Sequence, residues 1–180
     1  MTSVTHFVFW GLVVQVRSVK AMVSVCTEMT PFGFVVVKAE SELLVDVEIV
    51  ETVELQSPAG ESVSDALREA SKQLKAYFRD SSFKFDLPLA NVGTAYQRRV
   101  WAGLKAIPSG SILAYGQLAC ELRSGPRAIA AACRANPFPI IVPCHRVVAA
   151  HGLGGYAGAR EGFQLTVKRW LLQHEGIDCA

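Results

Sequence analysis

The sequence predicts a mixed α/β chain of the α+β kind, and three observations carry that prediction. Residues 21–50 contain three β-rich runs separated by turn residues. A strongly amphipathic helical pattern follows over residues 62–78. From residue 93 onward helical patterns succeed one another, two of them joined by a short glycine-containing turn. The simplest architecture is a small antiparallel sheet covered by one helix in residues 21–90, then a mainly helical half in residues 91–180.

Each element has a local reason. Residues 21–27 and 33–38 are the first two strands, joined by a turn at Thr30-Pro31-Phe32-Gly33. The third run, Leu43 to Val50, sets Leu44, Asp46 and Glu48 against Val45, Val47 and Ile49, as a one-sided strand requires. Ser57-Pro58-Ala59-Gly60 reads as a loop. In the helix that follows, Val63, Ala66, Leu67, Ala70, Leu74, Tyr77 and Phe78 share one face, with Ser62 or Ser64 as N-cap. Pro88 keeps Phe83 to Leu89 extended, and a boundary between two domains is placed near residue 91.

In the second half, Thr94 and Gln97 have capping-box spacing, and Val100, Trp101, Leu104 and Ile107 form that helix's core face. A short helix over Tyr115 to Leu122, the turn Arg123-Ser124-Gly125, and a helix opened by Pro126 make a helix-turn-helix pattern. The second of these helices is thin, with Ala128, Ala130, Ala131 and Ala132. It suits either a narrow groove or close helix packing. Four glycines among His151 to Gly158 mark a loop able to bring backbone close to a ligand. The last helix carries Leu165, Trp170, Leu171 and Leu172 and stops at Gly176.

Charge divides the chain as the elements do. Residues 1–90 carry 8 Lys/Arg and 12 Asp/Glu, whereas residues 91–180 carry 10 and 4, so the helical half is basic and fits a polyanion. The five cysteines are odd in number and form no C-x-x-C pair, which argues against a disulfide framework or a structural zinc site and for a reducing, intracellular compartment. The apolar stretch His6 to Val14 is too short to span a bilayer and lacks the basic segment of a signal peptide. Residues 1–20 are read as an extra strand or packed N-terminal extension.

The chemistry concentrates in Asn136-Pro137-Phe138-Pro139-Ile140-Ile141-Val142-Pro143-Cys144-His145-Arg146-Val147-Val148. The prolines bracket Ile140 to Val142, which reads as a short, extended, buried connector delivering Cys144. Basic neighbours are expected to lower the thiol pKa from about 8.5. A lone cysteine more often packs as a small hydrophobe. Glu175, at the end of the last helix, opposes the helix dipole unless it has a buried partner such as His145.

The order Pro-Cys-His-Arg-Val resembles the active-site signature of the O6-alkylguanine-DNA alkyltransferases, suicide DNA-repair proteins also called methylated-DNA–protein-cysteine methyltransferases. The resemblance extends over most of residues 21–177. It implies a ribonuclease-H-like N-terminal domain and a winged-helix-like C-terminal domain with a helix-turn-helix. It implies direct, single-use transfer of an alkyl group from O6 of guanine in DNA (O4 of thymine is also admitted) to Cys144, after base flipping. His145 would take the thiol proton through a water, Glu175 would orient His145, and Asn136 would fix the network. Tyr115 would rotate the nucleotide and donate towards guanine N3, and Arg127 would fill the emptied stack. Ala128, Ala131 and Arg134 would face the minor groove, without sequence specificity. Val147, Tyr156, Ala157 and Pro139 would line the guanine pocket, with carbonyls of Cys144 and Val147 accepting from the exocyclic amine.

No cofactor or metal is implied: some relatives hold zinc in the N-terminal domain, but no matching Cys/His cluster occurs here. The implied partner is double-stranded DNA, the free protein a monomer, the compartment cytoplasmic, with no membrane role. Three departures stand out: Ala114 and Ala157 occupy positions where Ser is common, and residues 159–163 lengthen the path to the last helix. Two rivals remain, a non-catalytic lesion-binding relative, which would lack the cysteine, and a cysteine hydrolase using Cys144, His145 and Glu175.

Overall fold

The computed structural model describes residues 23–53 and 64–179. The N-terminal extension, the 57–60 loop, Ser62 and Val63 lie outside the described residues. Three antiparallel strands, β1 (Val23–Thr30), β2 (Gly33–Glu40) and β3 (Leu43–Val50), form a sheet in sequence order. The first turn needs its glycine: Gly33 has φ 133°, and a Cβ there would lie 2.5 Å from the Val50 carbonyl oxygen.

The β2–β3 register slips between Lys38, opposite Asp46, and Ala39, opposite Leu44, leaving Val45 unpaired. This bulge corrects the alternation expected for β3. Leu44 turns inward and is fully buried, while Asp46 and Glu48 stay on the outer face, paired with Lys38 at 3.0 and 2.6 Å. Helix α1 (Asp65–Arg79) covers the sheet, capped by Ser64 and burying Ala66, Leu67, Ala70, Leu74 and Tyr77. Gln73 on that face grips the backbone of Asp86 through both ends of its amide, at 2.7 and 2.8 Å. The connector then runs along β3, where Leu44 donates to the Pro88 carbonyl and Ala90 to that of Leu44.

The remaining helices are α2 (Ala95–Ala106), α3 (Tyr115–Glu121), α4 (Pro126–Arg134) and α5 (Phe163–His174). Thr94 and Gln97 form the expected capping box. Ala114 cannot cap α3 with its side chain, but its N–H still donates to Gln117 at 2.7 Å, so half of a capping box survives the loss of a hydroxyl. Trp101 of α2 donates to the Ala132 carbonyl at 2.9 Å and locks α4 in place. Two-residue strands β4 (Leu113–Ala114) and β5 (Val147–Val148) pair in parallel, joining the start of α3 to the segment after Cys144.

The sheet reaches the reactive segment directly. Val47 donates to the Pro137 carbonyl at 2.8 Å. An aromatic cluster of Phe32, Phe78, Trp170 and His174 seals α1 against α5, with Trp170 stacked on His174 at 5.0 Å. Among the described residues no helix is long and apolar enough to cross a membrane.

Candidate active site

Cys144 opens a single 3₁₀ turn, Cys144–Arg146, that lies wholly in the interior. The path to it differs from the expected extended connector. The chain turns at Pro139-Ile140, with Ile140 at φ 72°, and the Val142 N–H donates back to Phe138 at 2.8 Å. A β-branched residue there is strained by about 1–3 kcal/mol. Burial of Phe138, Ile140, Ile141 and Val142 offsets that cost.

Asn136, just past the end of α4, clamps the turn. Its Nδ2 donates to the Val142 carbonyl at 2.9 Å and to the Cys144 sulfur at 3.3 Å, while Oδ1 accepts from the Phe138 N–H at 3.0 Å. The amide is therefore committed at both ends, and its donor end faces the thiol.

Behind the thiol, His145 is fully buried and its Nε2 lies 2.9 Å from Glu175 Oε1. Burial pushes the imidazole below its ordinary pKa against the pull of Glu175, so it is neutral. Nε2 then carries the proton and donates to the carboxylate. Nδ1 is left as a bare acceptor, with no hydrogen-bond partner among the described residues. Glu175 closes α5 and collects more donors: Arg146 Nε at 2.9 Å, Arg146 Nη2 at 2.9 Å, and the Tyr77 hydroxyl of α1 at 2.8 Å. Burial opposes its ionisation, but bonds from His145, Arg146 and Tyr77 outweigh it and hold the carboxyl down at about 2.

The thiol itself corrects one expectation. Burial raises Cys144 above the ordinary thiol value; the Asn136 hydrogen bond and the charge of Lys168 pull the other way without reversing it. Arg146 does not help, because its guanidinium is turned to Glu175 and the Ile107 carbonyl. The resting site is a neutral thiol beside a neutral imidazole.

A cavity of about 160 Å³ opens at Cys144, walled by Tyr115, Ala130, Cys133, Arg134, Tyr156 and the 157–160 turn. The Tyr115 phenol is held protonated, its pKa raised to about 12 by burial and by the two nearby thiols. Tyr156 is buried and its hydroxyl comes near the Cys144 sulfur without a hydrogen bond of ordinary geometry. Its loop is folded by reciprocal 2.9 Å bonds between Tyr156 and Ala159, with Ala157 at φ 48° and Gly158 at φ 88°. Two positive φ values make this a hairpin turn of the I′ kind.

A family model described as "6-O-methylguanine DNA methyltransferase, DNA binding domain" matches residues 95–177. A curated Methanosarcina acetivorans methylated-DNA–protein-cysteine methyltransferase is 46% identical over 112 residues, covering 61% of this chain and 69% of the relative. The Salmonella typhimurium protein of the same name is 50% identical over 110 residues, 59% of this chain and 61% of that one. Among solved structures, the Mycobacterium tuberculosis OGT in complex with DNA is 34% identical, with a TM-score of 0.67, covering 83% of this chain and 91% of that chain. This chain belongs to the methylated-DNA–protein-cysteine methyltransferase family.

In this family member, Asn136 is bonded to Cys144 and Glu175 to the adjacent His145, and Tyr115, Tyr156, Ala157 and Arg134 stand around the cavity that opens at Cys144. Arg127, Ala128, Ala131 and Arg134 are exposed along α4, while Ile129, Ala132 and Cys133 pack inward. The outward alanines therefore do not serve helix packing. Val147 and Pro139 do not wall the Cys144 cavity. Val147 is buried behind it, and Pro139 borders a separate groove between β3 and Tyr156.

Sequence reasoning missed Tyr77, Arg146 and Lys168. Lys168 is buried, and its Nζ donates to the carbonyls of Val147 and Leu153 at 2.7 Å and of Gly155 at 3.2 Å. It ties α5 to both β5 and the glycine-rich 152–158 loop, and burial pulls its pKa down to about 8. A lysine on the inward face of an otherwise apolar helical pattern was the available signal.

Proposed function

We propose that this protein repairs DNA by moving an alkyl group from O6 of guanine to its own Cys144, once per molecule. One observation carries the reading: His145, the residue next to the buried Cys144, commits Nε2 to Glu175 and leaves a buried Nδ1 without a partner among the described residues. The proton leaves the Cys144 sulfur for Nδ1, relayed by a water, and the imidazolium that forms is stabilised by a carboxylate already ionised. The thiolate then attacks the alkyl carbon, the S–C bond forms, and the C–O6 bond breaks with its electron pair passing to guanine. Tyr115, still protonated, donates towards N3 as charge grows there. Asn136 holds the sulfur on line.

Double-stranded DNA is the partner, met by the exposed face of α4 in the minor groove, where readout is degenerate and sequence independence follows. The base is extruded at a cost of a few kcal/mol, with Arg127 entering the gap. Carbonyls of Cys144 and Val147 accept from the exocyclic amine. Each already accepts one bond, from Val147 N–H and from Lys168, and has a second lone pair for it. A division near residue 91 separates a ribonuclease-H-like sheet-and-helix domain from a winged-helix-like domain. The free protein is a monomer, and its five free thiols suit a reducing cytoplasmic compartment.

Intact-mass spectrometry after incubation with O6-benzylguanine tests the reading. Wild type is expected to gain one benzyl group, mapped to Cys144, and Cys144→Ala none. An adduct persisting on the variant would refute the assignment. Unmodified wild type with methylated duplex DNA as well would favour a lesion-binding role.

A further inference from the structure

The lengthened stretch after the substrate-loop turn puts a second arginine at the mouth of the Cys144 cavity. Arg160 follows the Tyr156–Ala159 bridge directly, and its stem lies over Gly155, where an added Cβ would sit 3.9 Å from Arg160 Cγ and 2.7 Å from the Ala159 carbonyl oxygen. Arg134, from α4, lies across the same turn at Gly158, where a Cβ would sit 3.3 Å from Arg134 Cδ. The two glycines thus form a floor that both arginine stems can cross. Both side chains are exposed, and neither guanidinium forms a hydrogen bond or ion pair with the described residues.

Arg160 also stands on a ridge. The Cys144 cavity and a neighbouring cavity of about 640 Å³ share Tyr115, Gly155 and Arg160 as a common wall. A base entering the first cavity leaves its sugar and phosphates outside, at this ridge. An unpaired guanidinium there presents a planar fork of donors that fits a phosphodiester oxygen pair, and it is weakly enough hydrated to give up water for it.

We propose that Arg160 binds a phosphate of the extruded nucleotide's own backbone, making it a substrate-holding residue for duplex DNA. It does nothing for a free base, which has no phosphate. The proposal rests on the alkyl-transfer reading and adds to it a contact that depends on substrate form.

The test compares two substrates on one protein. Second-order labelling rates are measured with duplex O6-methylguanine and with free O6-benzylguanine, for wild type, Arg160→Ala and Arg160→Lys. Arg160→Ala is expected to lower the duplex rate about tenfold more than the free-base rate. It should also flatten the log–log salt dependence of duplex binding by about one, the loss of one phosphate contact. Arg160→Lys should restore the salt slope and only part of the rate. Equal losses on both substrates would mean that Arg160 merely supports the loop, and an unchanged duplex rate would mean no contact; either overturns the proposal. A wild type labelled by neither substrate would instead overturn alkyl transfer itself, and this proposal with it.

Discussion

Glu175 shows how much one side chain can be asked to do. It holds the tautomer of His145, anchors Arg146, and receives the Tyr77 hydroxyl. Glu175→Gln keeps the shape but removes the charge that stabilises an imidazolium. Labelling of Cys144 is expected to slow by 10²-fold or more, on the scale of lost general base catalysis, measured as the adduct formation rate. The same carboxyl makes a pH prediction. Its folded pKa of about 2 lies below the ordinary 4.5. Its contribution, on the order of 3 kcal/mol, is therefore present above pH 4.5 and lost as pH falls towards 2. Urea unfolding at pH 7 and pH 3 should show wild type losing about 2 kcal/mol more than Glu175→Gln, because pH 3 still lies above the folded pKa. Cys144, His145 and Asn136 were readable because they stand in one short phrase, and Glu175 because its place at a helix end demanded a partner. Tyr77, Arg146 and Lys168 were not. Their partners lie 98, 29 and 21 residues away, and no local pattern encodes those distances.

At the scale of elements, α4 is defined by what it lacks. Its outer face offers Ala128 and Ala131 between Arg127 and Arg134, so backbone can approach a groove closely. Ala128→Leu and Ala131→Leu should each weaken duplex binding about tenfold by anisotropy. Stability should stay within about 0.5 kcal/mol, as for exposed sites. A binding loss matched by a loss of stability would point to packing instead. The helices were legible because caps, glycine stops and apolar stripes are local signals. The turn at Ile140 and the bulge at Val45 were not. One is a strained conformation sustained by burial and by the Asn136 clamp, and the other a register slip that depends on the neighbouring strand.

The whole molecule is joined through its chemistry. The Tyr77 hydroxyl reaches from the sheet-covering helix to the carboxylate that holds His145, and the pKa of that phenol is driven far upward by burial and by Glu175. Tyr77→Phe should cost about 1.5–3 kcal/mol, the range for a hydrogen bond to a charged group. It should also slow labelling several-fold, read by urea unfolding and by adduct rate. An unchanged rate would show that the sheet and α1 serve only as packing. Charge asymmetry foretold which half meets a polyanion, but not that the other half would complete the site. Mutational drift feels that connection too. Catalytic groups are often kept at the expense of stability, so that removing them makes a protein more robust. Here the carboxylate proposed to serve the reaction also rivets three parts of the chain together. A lineage that lost it would gain no robustness in return, and so has no stabilising route away from the chemistry.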